Sequence, residues 1–234
     1  MTRPSKLLTL LTALVTAVFS LTAAVALPIL WRGWYYGQIV SLRLVEQTGY
    51  SESVIRGAFD AVMDYLVKDA PFSTGALLWS ESGAAHFADC KVLFRLDFIV
   101  LAVSGAILLL LLLAALFSTG FRKRFAISPP LLALFITLFF FALFAIWALA
   151  DFEGLFTAFH SLCFPGKTNW VFDWRTDEII RILPEEFWAR TAALVGSGAV
   201  ALEGVLALLL SLLLRLFTPK TVYQQLVKER GRRF

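Results

Sequence analysis

The chain has two histidines, and each lies in a polar segment beside a long apolar run. His86 comes twelve residues before a run that begins at residue 98, and His160 comes ten residues after a run that ends at residue 150. Histidine suits proton transfer near neutral pH because its unperturbed pKa is about 6.5. If the two segments pack together, the imidazoles can share one site for general acid–base chemistry. The alternative is that they are two unrelated structural histidines.

Two carboxylates are further candidates for this chemistry. Asp89 lies three residues after His86, which places both on the same face of a helix. It could hold the imidazole in one tautomer, or it could only cap and solvate that helix. Glu203 is the one acidic residue inside an apolar run. An intramembrane carboxylate is a functional candidate, and a hydrogen bond to a neighbouring helix is the alternative.

The two cysteines follow the histidines at short spacing. Cys90 comes four residues after His86, and Cys163 comes three residues after His160. Two histidines and two cysteines could bind zinc, although neither pair has the spacing of a paired-cysteine motif. A disulfide between the two polar segments is another possibility in an oxidising compartment. Two free thiols are the default prediction.

Long apolar runs dominate the rest of the chain. It has 234 residues, of which 59% are hydrophobic and 16% are charged, whereas a soluble domain is about 45–50% apolar and about 25% charged. A helix of about 20 apolar residues crosses a bilayer. The sequence therefore predicts an all-α membrane protein, a single membrane domain over residues 1–234. Its four transmembrane helices are predicted at about 7–30, 98–117, 131–150 and 191–217.

The first apolar run also resembles a signal peptide. Ala24-Val25-Ala26 is similar to a small-residue cleavage site. The run is, however, longer than the usual signal core of about 7–15 residues, so we predict a retained helix.

The charges predict the orientation in the membrane. One side collects 11 basic residues and a single acid, whereas the other holds 15 acids and 9 bases. By the positive-inside rule both termini are cytoplasmic, and the histidines face outward. The short loop with Arg122, Lys123 and Arg124 is the strongest evidence for this orientation. The remaining basic residues of the inner side are Arg3, Lys6, Arg215, Lys220, Lys228, Arg230, Arg232 and Arg233.

The outer segments, residues 32–96 and 151–187, are too long to be simple connections. Ser51 and the apolar residues after it predict a capped amphipathic helix, and a second helix is predicted from about Ser82 through Phe94 into the next span. We therefore expect a mostly helical extracytoplasmic cap. All seven tryptophans lie in it or near the outer helix ends, either to anchor the cap or to hold an amphipathic ligand. They are Trp31, Trp34, Trp79, Trp147, Trp170, Trp174 and Trp188.

Two motifs around the histidines resemble a known bacterial family. One runs from Asp151 through Phe156, Phe159-His160 and Asn169-Trp170 to Ile182-Leu183-Pro184-Glu185 and Phe187-Trp188, and the other is His86-Phe87-Ala88-Asp89-Cys90-Lys91. Both are similar to motifs of the lipoprotein intramolecular transacylase family, and the four-helix layout agrees. Cys90 stands where that family's pattern would have an aliphatic residue.

The resemblance implies an activity and a set of site residues. Such enzymes move the sn-2 acyl chain of a diacylglyceryl-cysteine lipoprotein onto the α-amino group of the same cysteine, giving the lyso form. They act in the bacterial cytoplasmic membrane, on its outer face, and need no cofactor, metal or external acyl donor. The family's catalytic histidines correspond to His86 and His160. The substrate-binding residues are then expected among Asp89, Lys91, Phe156, Phe159, Asn169 and Trp170.

Other classes of function are less well supported. A non-enzymatic membrane protein, such as a transporter or accessory subunit with an outer cap, is the main alternative, but the spans offer few polar residues for a path. A zinc hydrolase using His86, Cys90, His160 and Cys163 is a third reading. Serine-hydrolase, zinc-protease and phosphate-loop motifs are absent from the sequence. The net charge is +4, but the basic residues cluster beside apolar runs, which indicates membrane topology. We therefore expect no nucleic acid as a partner. Membrane lipid is an expected partner, and the sequence gives no oligomeric state.

Overall fold

The computed structural model describes residues 4–216, without the side chain of Arg215. Within these residues every helix or strand that the structure contains is a helix, which confirms the all-α prediction. The described residues do not include the last position of the fourth predicted span, residue 217, or six of the basic residues assigned to the inner side. These six are Arg3, Lys220, Lys228, Arg230, Arg232 and Arg233. The helices are α1 Lys6–Leu30, α2 Gly33–Ser41, α3 Leu44–Thr48, α4 Glu52–Lys68, α5 Glu81–Phe117, α6 Thr119–Arg122, α7 Pro129–Ala150, α8 Phe152–Cys163, a 3-10 helix Glu178–Ile182 and α9 Glu185–Leu216.

Four of these helices, α1, α5, α7 and α9, are long and apolar enough to cross a membrane, as the sequence predicted. α5 has 37 residues, more than a bilayer needs, because a helix rises about 1.5 Å per residue. We predict that the apolar second half of α5, residues 98–117, spans the bilayer. The polar first half, which contains His86, would then extend beyond the bilayer core. Two prolines start α7, where the missing N–H costs least.

The described residues form two compact units. The first unit comprises the described residues within Met1–Ala23, Val100–Phe141 and Ser197–Phe234. Its interior includes a row of hydroxyl side chains on one face of α1. Thr9, Thr12, Thr16 and Ser20 are all buried there.

Glu203 is fully buried in the first unit, at 0% exposure. The Thr137 hydroxyl of α7 donates a hydrogen bond of 2.7 Å to Oε1 of Glu203 on α9. Such interhelical hydrogen bonds stabilise helix packing in lipid. This contact supports the structural interpretation of Glu203 that the sequence left open.

The second unit, Ala24–Ile99 and Ala142–Gly196, contains both histidines and is called here the histidine unit. Its core is built around Tyr35 of α2, whose ring stacks on Phe59 of α4 with centroids 3.7 Å apart. The Tyr35 hydroxyl donates to the Ile182 carbonyl at 2.9 Å, which ties the 3-10 helix to α2. A buried hydroxyl of this kind needs such a partner.

α4 follows the predicted capped helix closely. The Ser51 hydroxyl accepts a hydrogen bond from the Val54 amide, which satisfies one free N–H group at the helix start. The apolar face of α4 is buried against the core, as its spacing predicts. The buried residues of that face are Ile55, Ala58, Phe59, Val62, Met63 and Leu66.

We expect Glu203→Ala to lower the free energy of unfolding in detergent by about 1 kcal/mol, the order of one interhelical hydrogen bond in a membrane. Glu203→Gln keeps a carbonyl oxygen for the Thr137 hydroxyl and should keep most of that stability. Thermal unfolding of the purified variants measures both effects. Equal stability of Glu203→Ala and Glu203→Gln would contradict a role for this hydrogen bond.

Candidate active site

The two histidines meet inside the histidine unit. The ring centroids of His86 and His160 lie 5.9 Å apart, with an angle of 35° between the ring planes. Both side chains are buried, with exposures of 6% and 8%. Residues 74 positions apart in the sequence therefore share one buried site, so the two histidines are not unrelated in space, and their catalytic role stays a prediction.

Helix caps position the two histidine-bearing helices. At the start of α5, the Ser80 hydroxyl accepts from the Gly83 amide at 3.0 Å. Asp177 accepts from the Ser80 amide at 2.8 Å. At the start of α8, the Asp151 carboxylate accepts from the Gly154 amide at 2.8 Å. Both caps supply acceptors to helix N–H groups that lack partners within the helix.

Gly83 is required where it stands. A Cβ atom at this position would collide with the Asp177 carboxylate and approach the Phe172 ring. The close contact places residues 172–177 directly on the first turn of α5, one turn before His86. A glycine here therefore brings the aromatic residues that precede Asp177 onto the histidine pair.

His160 has a defined hydrogen-bond partner. Its Nδ1 lies 2.8 Å from the carbonyl oxygen of Phe156. Since a carbonyl only accepts, Nδ1 carries the proton and donates it. In the neutral ring, Nε2 then has the free lone pair. The fold thus presents His160 as a proton acceptor through Nε2.

His86 is held differently. Its Nε2 lies 3.4 Å from the Cys90 Sγ, one turn further along α5. Its Nδ1 is buried and has no hydrogen-bond partner among the described residues. A buried polar atom without a partner is uncommon in proteins. Nδ1 of His86 is therefore available to a polar group of a ligand.

Burial keeps both imidazoles neutral. Desolvation, with a smaller contribution from the neighbouring His160, lowers the pKa of His86 to about 4. Desolvation also lowers the pKa of His160, although its bond to the Phe156 carbonyl acts in the opposite direction. A charged imidazolium is disfavoured in an apolar site. At pH 7 both rings are neutral, and His160 is the better base of the two.

Aromatic rings surround both histidines. Phe164 and Phe172 lie edge-on to His86, with centroid distances of 4.9 Å and 5.4 Å. Trp170 lies 4.9 Å from the His160 ring, and Phe156 lies 4.0 Å from it. These rings replace water around the imidazoles, which is the cause of the lowered pKa values.

Asp89 does not hold the imidazole tautomer, one of the two roles considered from the sequence. Its carboxylate accepts from Lys167 Nζ at 2.5 Å and from Asn169 Nδ2 at 3.0 Å. These donors lower the pKa of Asp89, with Lys167 as the larger cause. The Asp89 carboxylate therefore binds the segment that follows α8, because that segment supplies stronger donors than His86 does.

The other predicted substrate-binding residues divide into two groups. Phe156, Phe159 and Trp170 all pack on the His160 ring. Asn169 lies beside the pair through its bond to Asp89. Lys91 instead forms an ion pair of 2.8 Å with Asp69 and lies 4.3 Å above the Tyr65 ring. Substrate binding by these residues stays a prediction.

Three residues of the site were not predicted from the sequence. Phe164 could have been found, because it follows His160 by four residues and continues the same helical face. Phe172 and Lys167 lie in an irregular segment, where sequence periodicity gives no face. Only the tertiary fold brings them to His86 and Asp89.

Cys90 and Cys163 are free, half-buried thiols in the structure. Burial raises the pKa of Cys90 to about 12, so it stays protonated and is a poor nucleophile. Among residues 4–216, no three His, Cys, Asp or Glu side chains are grouped to hold a metal ion. The donor set of the zinc hydrolase reading, His86 and His160 with the two cysteines, therefore does not assemble.

Four spanning helices and a buried, desolvated histidine pair define a multi-pass helical membrane protein with a site suited to acid–base chemistry. The family model for the lipoprotein intramolecular transacylase Lit matches residues 10–188. That match covers more than half of the chain, and the chain belongs to this family of membrane enzymes. No curated protein sequence matches it.

Solved structures agree on the fold. The chain is similar to the membrane integral lipoprotein intramolecular transacylase Lit from Bacillus cereus, with a TM-score of 0.77, 22% identity and coverage of 97% of each chain. Two further structures of that protein carry a histidine mutated to arginine or to alanine. They give TM-scores of 0.68 and 0.67, with 23% identity, over 90% of this chain and 92% or 93% of theirs.

The lowered histidine pKa predicts how stability depends on pH. Since the folded protein disfavours protonated His86, the unfolded chain binds more protons between pH 6.5 and about 4, and stability falls as the pH falls through that window. We expect His86→Gln to show a smaller loss over the same range. Thermal unfolding in detergent at pH 7, 6, 5 and 4 measures this. A steeper loss in His86→Gln would contradict the assignment.

Proposed function

We propose that this protein moves the sn-2 acyl chain of a diacylglyceryl-cysteine lipoprotein to the α-amino group of the same cysteine. The product is a lyso-form lipoprotein with an N-acyl group. The observation that supports this most is the pair of neutral imidazoles, 5.9 Å apart, that offer a lone pair on one side and an unpartnered nitrogen on the other. Membership of the transacylase family supports the same reaction class.

The reaction exchanges an ester for an amide within one molecule. The α-amino group has a pKa of about 8, and only its neutral form attacks a carbonyl carbon. As it attacks, the nitrogen must lose a proton and the departing glyceryl oxygen must gain one. The net proton balance is zero, so two imidazoles that remain neutral between turnovers suffice. No ATP, metal or external acyl donor enters this scheme.

The geometry favours different roles for the two histidines. His160 is the general base, because its Nδ1 is bound to Phe156 and its Nε2 lone pair is free. His86 is the hydrogen-bond donor to the oxyanion, and the proton that His160 takes from the amine passes to the departing glyceryl oxygen. Its Nδ1 is the buried atom without a partner, and its pKa of about 4 makes it a poor base at neutral pH.

The topology supports a site on the outer face of the cytoplasmic membrane. His86 precedes the span of α5 and His160 follows the span of α7, so the basic loop between these helices lies at their opposite ends. The positive-inside rule assigns Arg122, Lys123 and Arg124 to the cytoplasm. Both termini are then cytoplasmic, and the cap of residues 32–96 and 151–187 faces outward. The lipoprotein keeps its acyl chains in the lipid while its cysteine enters the site.

Substitutions at the histidines test the proposed roles. We expect His160→Asn and His86→Gln each to lower the rate of lyso-form production by roughly 10²-fold or more, the typical contribution of an acid–base group. Mass spectrometry of a diacylglyceryl lipopeptide incubated with full-length protein measures both forms. In His160→Asn the amide can still donate to the Phe156 carbonyl, so the fold is preserved while the Nε2 base is lost. Near wild-type rates in both variants would disprove the assignment.

The pH profile gives an independent test. Because burial lowers the pKa of both imidazoles below the ordinary value, ionisation of the substrate amine should limit the reaction near neutral pH. We expect the second-order rate constant to rise with pH up to an inflection near 8, the approximate pKa of an α-amino group. An inflection near 6.5 that moves in His160→Asn would show instead that a histidine ionisation controls the rate.

A further inference from the structure

The proposed acyl transfer has to exclude water, because water attacks the same ester carbon as the amine. On the basis of that proposed function, we propose that Asp89 is a positioning residue that holds a segment of the chain over the two histidines and so keeps acyl transfer ahead of hydrolysis. The segment comprises residues 164–177 and is called the covering segment. It is irregular apart from turns and bends, so its position depends on contacts with the rest of the histidine unit.

Asp89 binds the covering segment at two points. Its Oδ1 accepts from Lys167 and its Oδ2 accepts from Asn169. Hydrogen bonds with an ionised partner are shorter and stronger than neutral ones. One carboxylate on α5, three residues after His86, therefore fixes two residues of the segment that follows α8.

These contacts continue directly to the His160 ring. The Trp170 indole Nε1 donates to the Lys167 carbonyl at 2.9 Å, which fixes the side chain relative to the residue that Asp89 binds. The Trp170 ring lies 4.9 Å from His160 and is tilted by 31°. The ion pair on the α5 side thus holds the aromatic ring that covers the proposed base.

A second attachment lies at the far end of the covering segment. Asp177 accepts from the amide and hydroxyl of Ser80, and Gly83 leaves room for its carboxylate. Between the two attachments, Phe172 lies edge-on to His86 at 5.4 Å. Both ends of the segment are therefore fixed to α5, and the aromatic residues between them cover both histidines.

The two attachments differ in their exposure to water. Asp177 is buried, at 4% exposure. The Asp89 and Lys167 side chains are 22% and 49% exposed. Solvent competes more easily for the exposed pair, so the Asp89 attachment is the weaker of the two and the one at which the proposal is tested.

The two competing reactions differ only in the attacking atom. In transfer, the amine nitrogen bonds to the acyl carbon, the ester C–O bond breaks, and the proton lost by nitrogen reaches the glyceryl oxygen. In hydrolysis, the oxygen of a water molecule bonds to the acyl carbon instead, and a proton of that water reaches the glyceryl oxygen. Hydrolysis releases a free fatty acid and leaves the cysteine amine unacylated, so the two products are distinct in mass.

The ratio of these products tests the role of Asp89. We expect Asp89→Asn to raise the ratio of free fatty acid to N-acyl lyso lipopeptide by about tenfold, which corresponds to about 1.4 kcal/mol. The assay uses full-length protein in detergent and a diacylglyceryl-cysteine lipopeptide with a free α-amino group. A variant that only loses structure would lower both products in proportion and leave the ratio unchanged, which would overturn the proposal.

Further variants separate the Asp89 attachment from general damage. Lys167→Gln removes the ammonium charge of the ion pair with Asp89 and should raise the ratio in the same direction by a smaller factor. The Asp89→Asn, Lys167→Gln double variant should raise it no further than Asp89→Asn alone, because both act through one contact. Glu52→Gln, which removes the ion pair with Arg56 on α4, is the matched control and should leave the ratio at the wild-type value.

The same assay keeps this proposal distinct from the proposed function. If wild-type protein forms neither product, the transacylase proposal fails. If wild-type protein forms the N-acyl product and the ratio is the same in Asp89→Asn and Lys167→Gln, the transacylase proposal stands and the role of Asp89 is refuted. Should Asp89→Asn fail to fold, as judged by size exclusion and thermal unfolding, the ratio in Lys167→Gln decides.

Discussion

The removal of two imidazole rings from water is the constraint on which this site depends. His86 and His160 are buried among aromatic rings, and desolvation lowers the pKa of both. Neutral imidazoles have one donor and one acceptor nitrogen each, so their neighbours decide which nitrogen faces the substrate. The Phe156 carbonyl makes that choice for His160. Burial and the Phe156 contact leave two neutral imidazoles within one site, and on our proposal they act as a base and a hydrogen-bond donor.

Burial also creates the need for a cover. An ester close to a general base is open to hydrolysis unless water is kept away. The covering segment, residues 164–177, has only short-range turn hydrogen bonds within itself, so side-chain contacts are needed to fix it to α5 and its N-cap. Asp177 and Asp89 are the two acceptors that do this. The same helix therefore holds His86 and anchors the residues that shield it.

Prediction from the sequence succeeded where local patterns determine structure. Length and apolar content identified the four spanning helices, and the Ser51 cap with its apolar spacing identified α4. Both signals act over one or two helical turns, so no tertiary information was needed. One of the two roles considered for Asp89, holding the His86 tautomer, was wrong because that inference used helical spacing alone. The donors that claim its carboxylate, Lys167 and Asn169, come from a segment about 80 residues later.

The sequence by itself determined that the chain is a helical membrane protein and that its two histidines lie in polar segments beside the spans, because bilayer thickness and helix rise leave few other solutions for such apolar runs. Two motifs that resemble those of the transacylase family identified the histidines as candidate catalytic residues. Only the tertiary structure decided that the imidazoles share one dry site, which nitrogen of His160 is free, and that Lys91 is engaged by Asp69. These features depend on contacts between distant segments, and such contacts leave no periodic signal in a single sequence.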